Sequence, residues 1–236
     1  MTTKEIMATL QKLGSESIKK IMLKHGHKEP FFGVKVEDLK KVQKTIKGDH
    51  QQIAKELYET GNTDAMYLAG LMADGSKMSK KELQSWVTSA HSPAISEYTV
   101  PWVTSEHPQG FELAMEWIDS KKELVAAAGW STLSSIIGTK PDAELDLKAL
   151  QSLLSRVQRT IHDAPNRVRY TMNGFIIAAG SFIASLTDTA METGKKIGTV
   201  MVDMNGTACK VPSATEYIKK IKDMGRIGKK KKMAKC

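Results

Sequence analysis

The chain has 236 residues, 41% hydrophobic and 26% charged, enough apolar material for one sizeable folded unit or a continuous repeat stack, which excludes a fibrous or broadly disordered protein. Two cysteines, Cys209 and Cys236, argue against a disulfide scaffold and a Cys-rich zinc site and predict a reducing, cytoplasmic setting. The net charge of +9 is unevenly spread: residues 213–236 hold nine Lys or Arg against two acids, a net of +7, and the other 212 residues hold +2.

From the N-terminus the pattern is a succession of amphipathic helices about 10–20 residues long, broken by Gly, Pro, Asn and Ser. Thr2 and Glu5 form a capping box, Gly14-Ser15 ends one helix and caps the next, and Lys24-His25-Gly26-His27 closes the second. Phe31, Phe32 and Gly33 suit a tight entry to a helix whose stripe Val36, Leu39 and Val42 faces a core while Lys40, Lys41 and Lys44 stay wet. Helices are predicted over 36–47, 50–60, 63–73, 79–89, 94–106, 108–118, 121–137, 143–162 and 166–186. Short loops pack such helices as antiparallel neighbours, and pairs recurring about every 30–45 residues suit an armadillo or HEAT-type array, with a compact bundle as the alternative.

The longest apolar run, Gly174 to Leu186, is shorter than the roughly 20 residues of a membrane span and is expected as a buried helix. No signal peptide is read before Phe31, and no membrane partner is expected. Residues 199–203 and 207–211 flank Asn205-Gly206 and read as a small hairpin or an ordered loop. Pro212-Ser213 opens a last helix to about Met224, and 225–236 is expected as a mobile polybasic tail. The chain thus divides into a helical-repeat domain over 1–198, a hairpin or loop plus helix over 199–224, and the tail. A basic tail grips phosphates by counterion release or keeps the protein soluble.

The order Phe31-Phe32-Gly33-Val34-Lys35-Val36-Glu37-Asp38-Leu39-Lys40-Lys41 resembles the N-terminal signature of the DNA alkylation repair proteins of the AlkD type, which are all-α stacks of HEAT-like repeats. The resemblance implies a concave surface that holds duplex DNA. It also implies an aromatic pocket whose Asp and Arg assist hydrolytic loss of an alkylated purine of the 3-methyladenine or 7-alkylguanine kind. Neither a metal nor an organic cofactor is implied. A carboxylate in such a pocket stabilises the cationic sugar or orients water, and aromatic faces favour the same cation.

Aligned on Val100-Pro101, the family Asp falls on Glu97, and the Trp one turn earlier falls on Pro93, leaving Tyr98 or Trp102 to supply a ring. A second alignment pairs Trp102 with Glu106, four residues apart on one helical face. The anchor Trp117-Ile118-Asp119-Ser120 sets the family Arg at Ala127, so that cation is absent, and the last pocket Trp falls on Phe175. Glu97 with Tyr98, Trp102 and Phe175 is therefore the expected pocket. Arg156, Arg159, Arg167 and Arg169, joined by His162, Asn166 and Tyr170, form the expected DNA-contacting cluster, with Lys229, Lys230, Lys231 and Lys232 from the tail. Lys40, Lys41, Lys44 and Lys47 form a less specific stripe.

The leading expectation is a DNA-binding protein resembling the alkylpurine glycosylases, with base excision left open by Ala127. The alternatives are a noncatalytic binder of distorted or branched DNA and a repeat scaffold for another protein. The sequence has no phosphate-cradling glycine loop, no zinc spacing and no Ser-His-Asp arrangement.

Overall fold

Capping and apolar periodicity place the helices close to where the sequence predicts them. In the computed structural model, which describes residues 1–235, these are α1 (Thr3–Leu13), α2 (Glu16–Lys24), α3 (Val36–Thr45), α4 (His50–Glu59), α5 (Thr63–Met72), α6 (Lys80–Ser89) and α7 (Val100–Glu106). They continue as α8 (Gly110–Trp117), α9 (Glu123–Thr139), α10 (Leu147–Thr160), α11 (Asn166–Phe182), α12 (Thr187–Ile197) and α13 (Ala214–Asp223). The expected capping box is present, with Glu5 N–H donating to Thr2 Oγ1 at 3.3 Å and Thr2 N–H to Glu5 Oε2 at 2.8 Å.

Helices α5, α7, α9 and α11 pack side by side as an inner row, flanked by α4, α6, α8 and α12, which gives the expected all-α, HEAT-like array. The division is written in the residues. Helix α5 buries nine of its ten residues, as an element enclosed on every side must. Helix α10 buries only Leu150, Leu153, Leu154 and Val157, one stripe at helical spacing. Two apolar clusters meet at α9, where Val125 and Ala128 join the N-terminal one and Ala126, Trp130 and Leu133 the C-terminal one.

The signature at Phe31 is anchored by a buried carboxylate that the sequence reading did not single out. Asp64, in the first turn of α5, accepts the N–H groups of Phe32 at 2.6 Å, Gly33 at 3.0 Å and Val34 at 3.3 Å. Burial raises its pKa above the ordinary value, and these backbone bonds oppose that shift. Gly33 has φ +80°, and a Cβ there would lie 2.6 Å from the Ser15 carbonyl oxygen. Only glycine fits that turn.

Two expectations change, and one open alternative is decided. The single helix predicted over 166–186 stops at Phe182, and the chain bends by 119° into α12. Of the two readings of 199–211, hairpin or ordered loop, the loop forms, with no strand among the described residues. Its backbone is paired by side chains instead: Asp203 N–H donates to Asn166 Oδ1 at 2.7 Å, and Asn166 Nδ2 donates to the Asp203 carbonyl at 2.9 Å. Asn205 and Gly206 keep positive φ angles of 56° and 69° at the turn.

The tail is not free. Residues 228–235 form a strap across the C-terminal ends of the inner helices, while Cys236 lies outside the described residues. Gly228 N–H donates to Ser181 O of α11 at 2.9 Å, and Lys231 N–H to Gly138 O of α9 at 2.7 Å. Lys230 Nζ donates to Ile137 O at 2.9 Å and pairs with Asp142 at 2.7 Å. Lys235 Nζ donates to the Ala73 carbonyl beyond α5 and pairs with Glu106 of α7 at 3.2 Å. Ammonium groups here meet the negative ends of helix dipoles and carbonyls that no helical N–H can reach.

Candidate nucleic-acid interface

Glu97 lies in a π-helical turn, Ile95–Thr99, leading directly into α7. Pro101 has no N–H to give the Glu97 carbonyl, so the ordinary ladder fails and Val100 N–H reaches back to Ile95 O. The widened turn sends the Glu97 side chain toward α11. There it forms a bidentate pair with Arg167, whose Nε and Nη2 each lie 2.6 Å from a carboxylate oxygen. The two side chains are 3% and 17% exposed, so the pair is largely withdrawn from water.

Burial pushes the Glu97 carboxyl above its ordinary pKa, and Arg167 pulls it back. Burial also works to lower Arg167, but the Glu97 carboxylate outweighs it and holds the guanidinium above its ordinary value. We take the pair as ionic, because two short parallel bonds match a guanidinium fork on a carboxylate. Arg167 also stacks over Tyr170 at 4.4 Å from the ring centre. Tyr170 is itself raised, by burial first and then by Glu97.

Beside this pair opens a cleft of about 800 Å³. Its floor is α9 and α11, where Ser131, Ser134, Ser135, Gly174 and Ala178 keep the surface low. Tyr98 and Tyr170 stand at one end, Tyr217 of α13 along one side, and Arg226 with Lys229 and Lys231 of the strap at the other end. The Lys231 ammonium sits over the Phe182 ring at 5.4 Å.

The expected pocket residues separate on this frame. Glu97, Tyr98 and Trp102 do border the cleft, Tyr98 47% exposed and Trp102 4% exposed with its ring edge-on to Tyr67 at 5.1 Å. Phe175 does not; it is fully buried and packs edge-on against Trp130 at 5.2 Å, because the helix turns its neighbour Gly174 to the cleft instead. Glu106 is at the far end of α7, where it accepts Gly75 N–H at 2.9 Å as well as Lys235. Ala127 is fully buried in α9.

The basic cluster also divides. Arg156 is held by Asp119 at 2.7 Å and the Ile118 carbonyl at 3.3 Å, and lies over Trp130. Arg159 is exposed at the end of α10, Arg169 is partly buried with an unpartnered Nε, and only Arg167 reaches Glu97. Among the tail residues, Lys229 and Lys232 are exposed and outside any ion pair, whereas Lys230 is bound to α9 and Asp142. Sequence reasoning missed the serine floor, Tyr217 and the strap's path; the Ser131, Ser134, Ser135 spacing was the available signal, since these share one helical face. No group of three or more His, Cys, Asp or Glu among the described residues is arranged to hold a metal ion, and no single helix is long and apolar enough to cross a membrane.

Comparison with known proteins fits this architecture. Two uncharacterized proteins are similar over nearly their whole length: Lin0241 of Listeria innocua at 31% identity and Lmo0209 of Listeria monocytogenes at 32%, each match covering 94% of this chain and 98% of the relative. A solved structure, described as a new family of proteins related to the HEAT-like repeat DNA glycosylases with affinity for branched DNA structures, superposes with a TM-score of 0.91 at 36% identity and full coverage of both chains. Residues 6–218 match the family described as DNA alkylation repair enzyme. With almost every helix of the array inside that match, the chain belongs to the DNA alkylation repair enzyme family.

Proposed function

We propose that this protein binds DNA on its concave face, across the mouth of the cleft, and recognises a branched or distorted duplex by shape and charge, without excising a base. The observation that carries this reading is the Glu97 pair with Arg167. A carboxylate that stabilises a sugar cation must present an uncompensated negative charge, and two bonds of 2.6 Å to a buried guanidinium neutralise it. Ala127, which takes the place of the family cation, adds nothing in return. The DNA-holding parts are better supplied: strap lysines and Arg226 line one end of the cleft, and its solved relative is described as having affinity for branched DNA. Duplex DNA, damaged or undamaged, enters this proposal only as arms of the branch.

The test is fluorescence anisotropy of the purified protein with three-way and four-way junctions and with linear duplex of matched length, over a salt series. Tighter binding to junctions, weakening steeply with salt, is the expected result. Salt-independent or undetectable binding to all three would leave the protein-scaffold reading in its place. Release of methylated bases from alkylated duplex, abolished by Glu97→Gln in a folded protein, would overturn the noncatalytic part.

A further inference from the structure

We propose that the space enclosed by α9, α11, α13 and the strap is a subsite for one unpaired nucleotide of a DNA strand, an inference that rests on the DNA-binding reading above. At about 800 Å³ the space lies within the roughly 300–1,000 Å³ of sites that take small organic groups, and it is too confined for a duplex. Its surfaces match the base and the phosphate of a nucleotide. Tyr217, 45% exposed, gives a ring face against which a base can stack. Arg226 and Lys229, both exposed and outside any ion pair, stand at the rim where a phosphate would lie.

Between ring and rim, the floor presents hydroxyls. They belong to Ser131, Ser134 and Ser135, half-buried on one face of α9. Gly174 leaves the same floor open, since a Cβ placed on it would meet nothing within 4 Å. The branch point of a DNA junction is where unpaired nucleotides occur, so the subsite would add a local reason for a preference that charge alone does not give.

The probe is a three-way junction carrying 2-aminopurine as one unpaired nucleotide at the branch, compared with the fully paired junction and with free deoxyadenosine monophosphate. For the full-length protein, we expect roughly five- to tenfold tighter binding to the unpaired junction, with quenched fluorescence from stacking. Gly174→Phe fills the open floor and should abolish both the preference and the quenching; circular dichroism checks the helix. Equal binding of the two junctions, or a preference that survives in Gly174→Phe, overturns the subsite and leaves DNA binding intact. Failure of both junctions to bind, with the free nucleotide bound by wild type and not by Gly174→Phe, overturns the DNA-strand assignment. If none of the three ligands binds, the subsite and the DNA reading both fall.

Discussion

Two buried carboxylates sit near the N-terminal ends of the neighbouring inner helices α5 and α7, and they have opposite partners. Asp64 is satisfied by three backbone N–H groups of residues 32–34, and Glu97 by one side chain, Arg167, that is 70 residues away. Backbone partners demand a particular local path, which is why the Phe-Gly-Val order and the positive φ of Gly33 go with Asp64. A side-chain partner demands only that two residues meet after folding. Asp64 therefore belongs to the scaffold, while the state of Glu97 decides what the cleft can do.

The largest effect should come from Asp64→Ala. It leaves three inward-facing N–H groups without an acceptor, at about 1–3 kcal/mol each, so a loss of at least about 3 kcal/mol is expected in denaturant unfolding. Asp64→Asn, which keeps one acceptor oxygen, should lose less. A loss below about 1 kcal/mol for the alanine variant would remove the anchoring role.

Next comes the ion pair. Glu97→Ala strands a largely buried guanidinium and should destabilise by about 3 kcal/mol, whereas the double variant with Arg167→Met should recover much of this. Strictly additive single effects in that cycle would mean the two groups do not depend on one another.

Truncation after Met224 removes the strap, and a loss of about 2 kcal/mol corresponds to a melting temperature lower by about 4–8 °C. Within the strap the lysines should separate by task. Replacing Lys229 and Lys232 with Ala should reduce the DNA salt slope by about 0.9 for each phosphate left without its ammonium, with no change in melting. Lys230→Ala should instead lower melting, because its ammonium caps α9 and pairs with Asp142.

The last effect is confined to acid and is a pH slope. Burial pushes His27 down to about 4 from 6.5, with His25 and His91 adding to the shift. The unfolded chain then takes up this proton before the folded one, so stability is full above about pH 6.5 and falls on acidification towards about pH 4, by at most about 1.4 kcal/mol per pH unit. In His27→Phe that component of the slope should vanish from pH-dependent unfolding curves.

The same contrast explains what was legible beforehand. Helix positions could be read from Val36, Leu39 and Val42 or from Leu150, Leu153, Leu154 and Val157, because burial of one face writes itself at intervals of three and four. The bend after Phe182 was hidden, since an apolar run looks the same through a helix end when both sides are buried. The loop at 199–211 carried the turn residues of a hairpin, but Asn166 takes both backbone groups of Asp203, which a strand partner would otherwise need. Glu97 was found through Val100-Pro101; its pairing was not, because nothing local to residue 97 announces residue 167. The strap was hardest to foresee, as a lysine run reads as solvated until the carbonyl ends that it covers are in place.

That strap changes how the array can come apart. In an open stack each repeat touches its neighbours alone, so ends fray independently and local openings stay local. Lys235 reaches Ala73 across 162 positions of sequence, while Gly228 of the same short segment holds α11. Opening of either flank must therefore release a segment shared by both. Amide exchange in α5 and α11 would then rise together when the strap is removed, as two distant parts of one cooperative unit rather than two ends of a row.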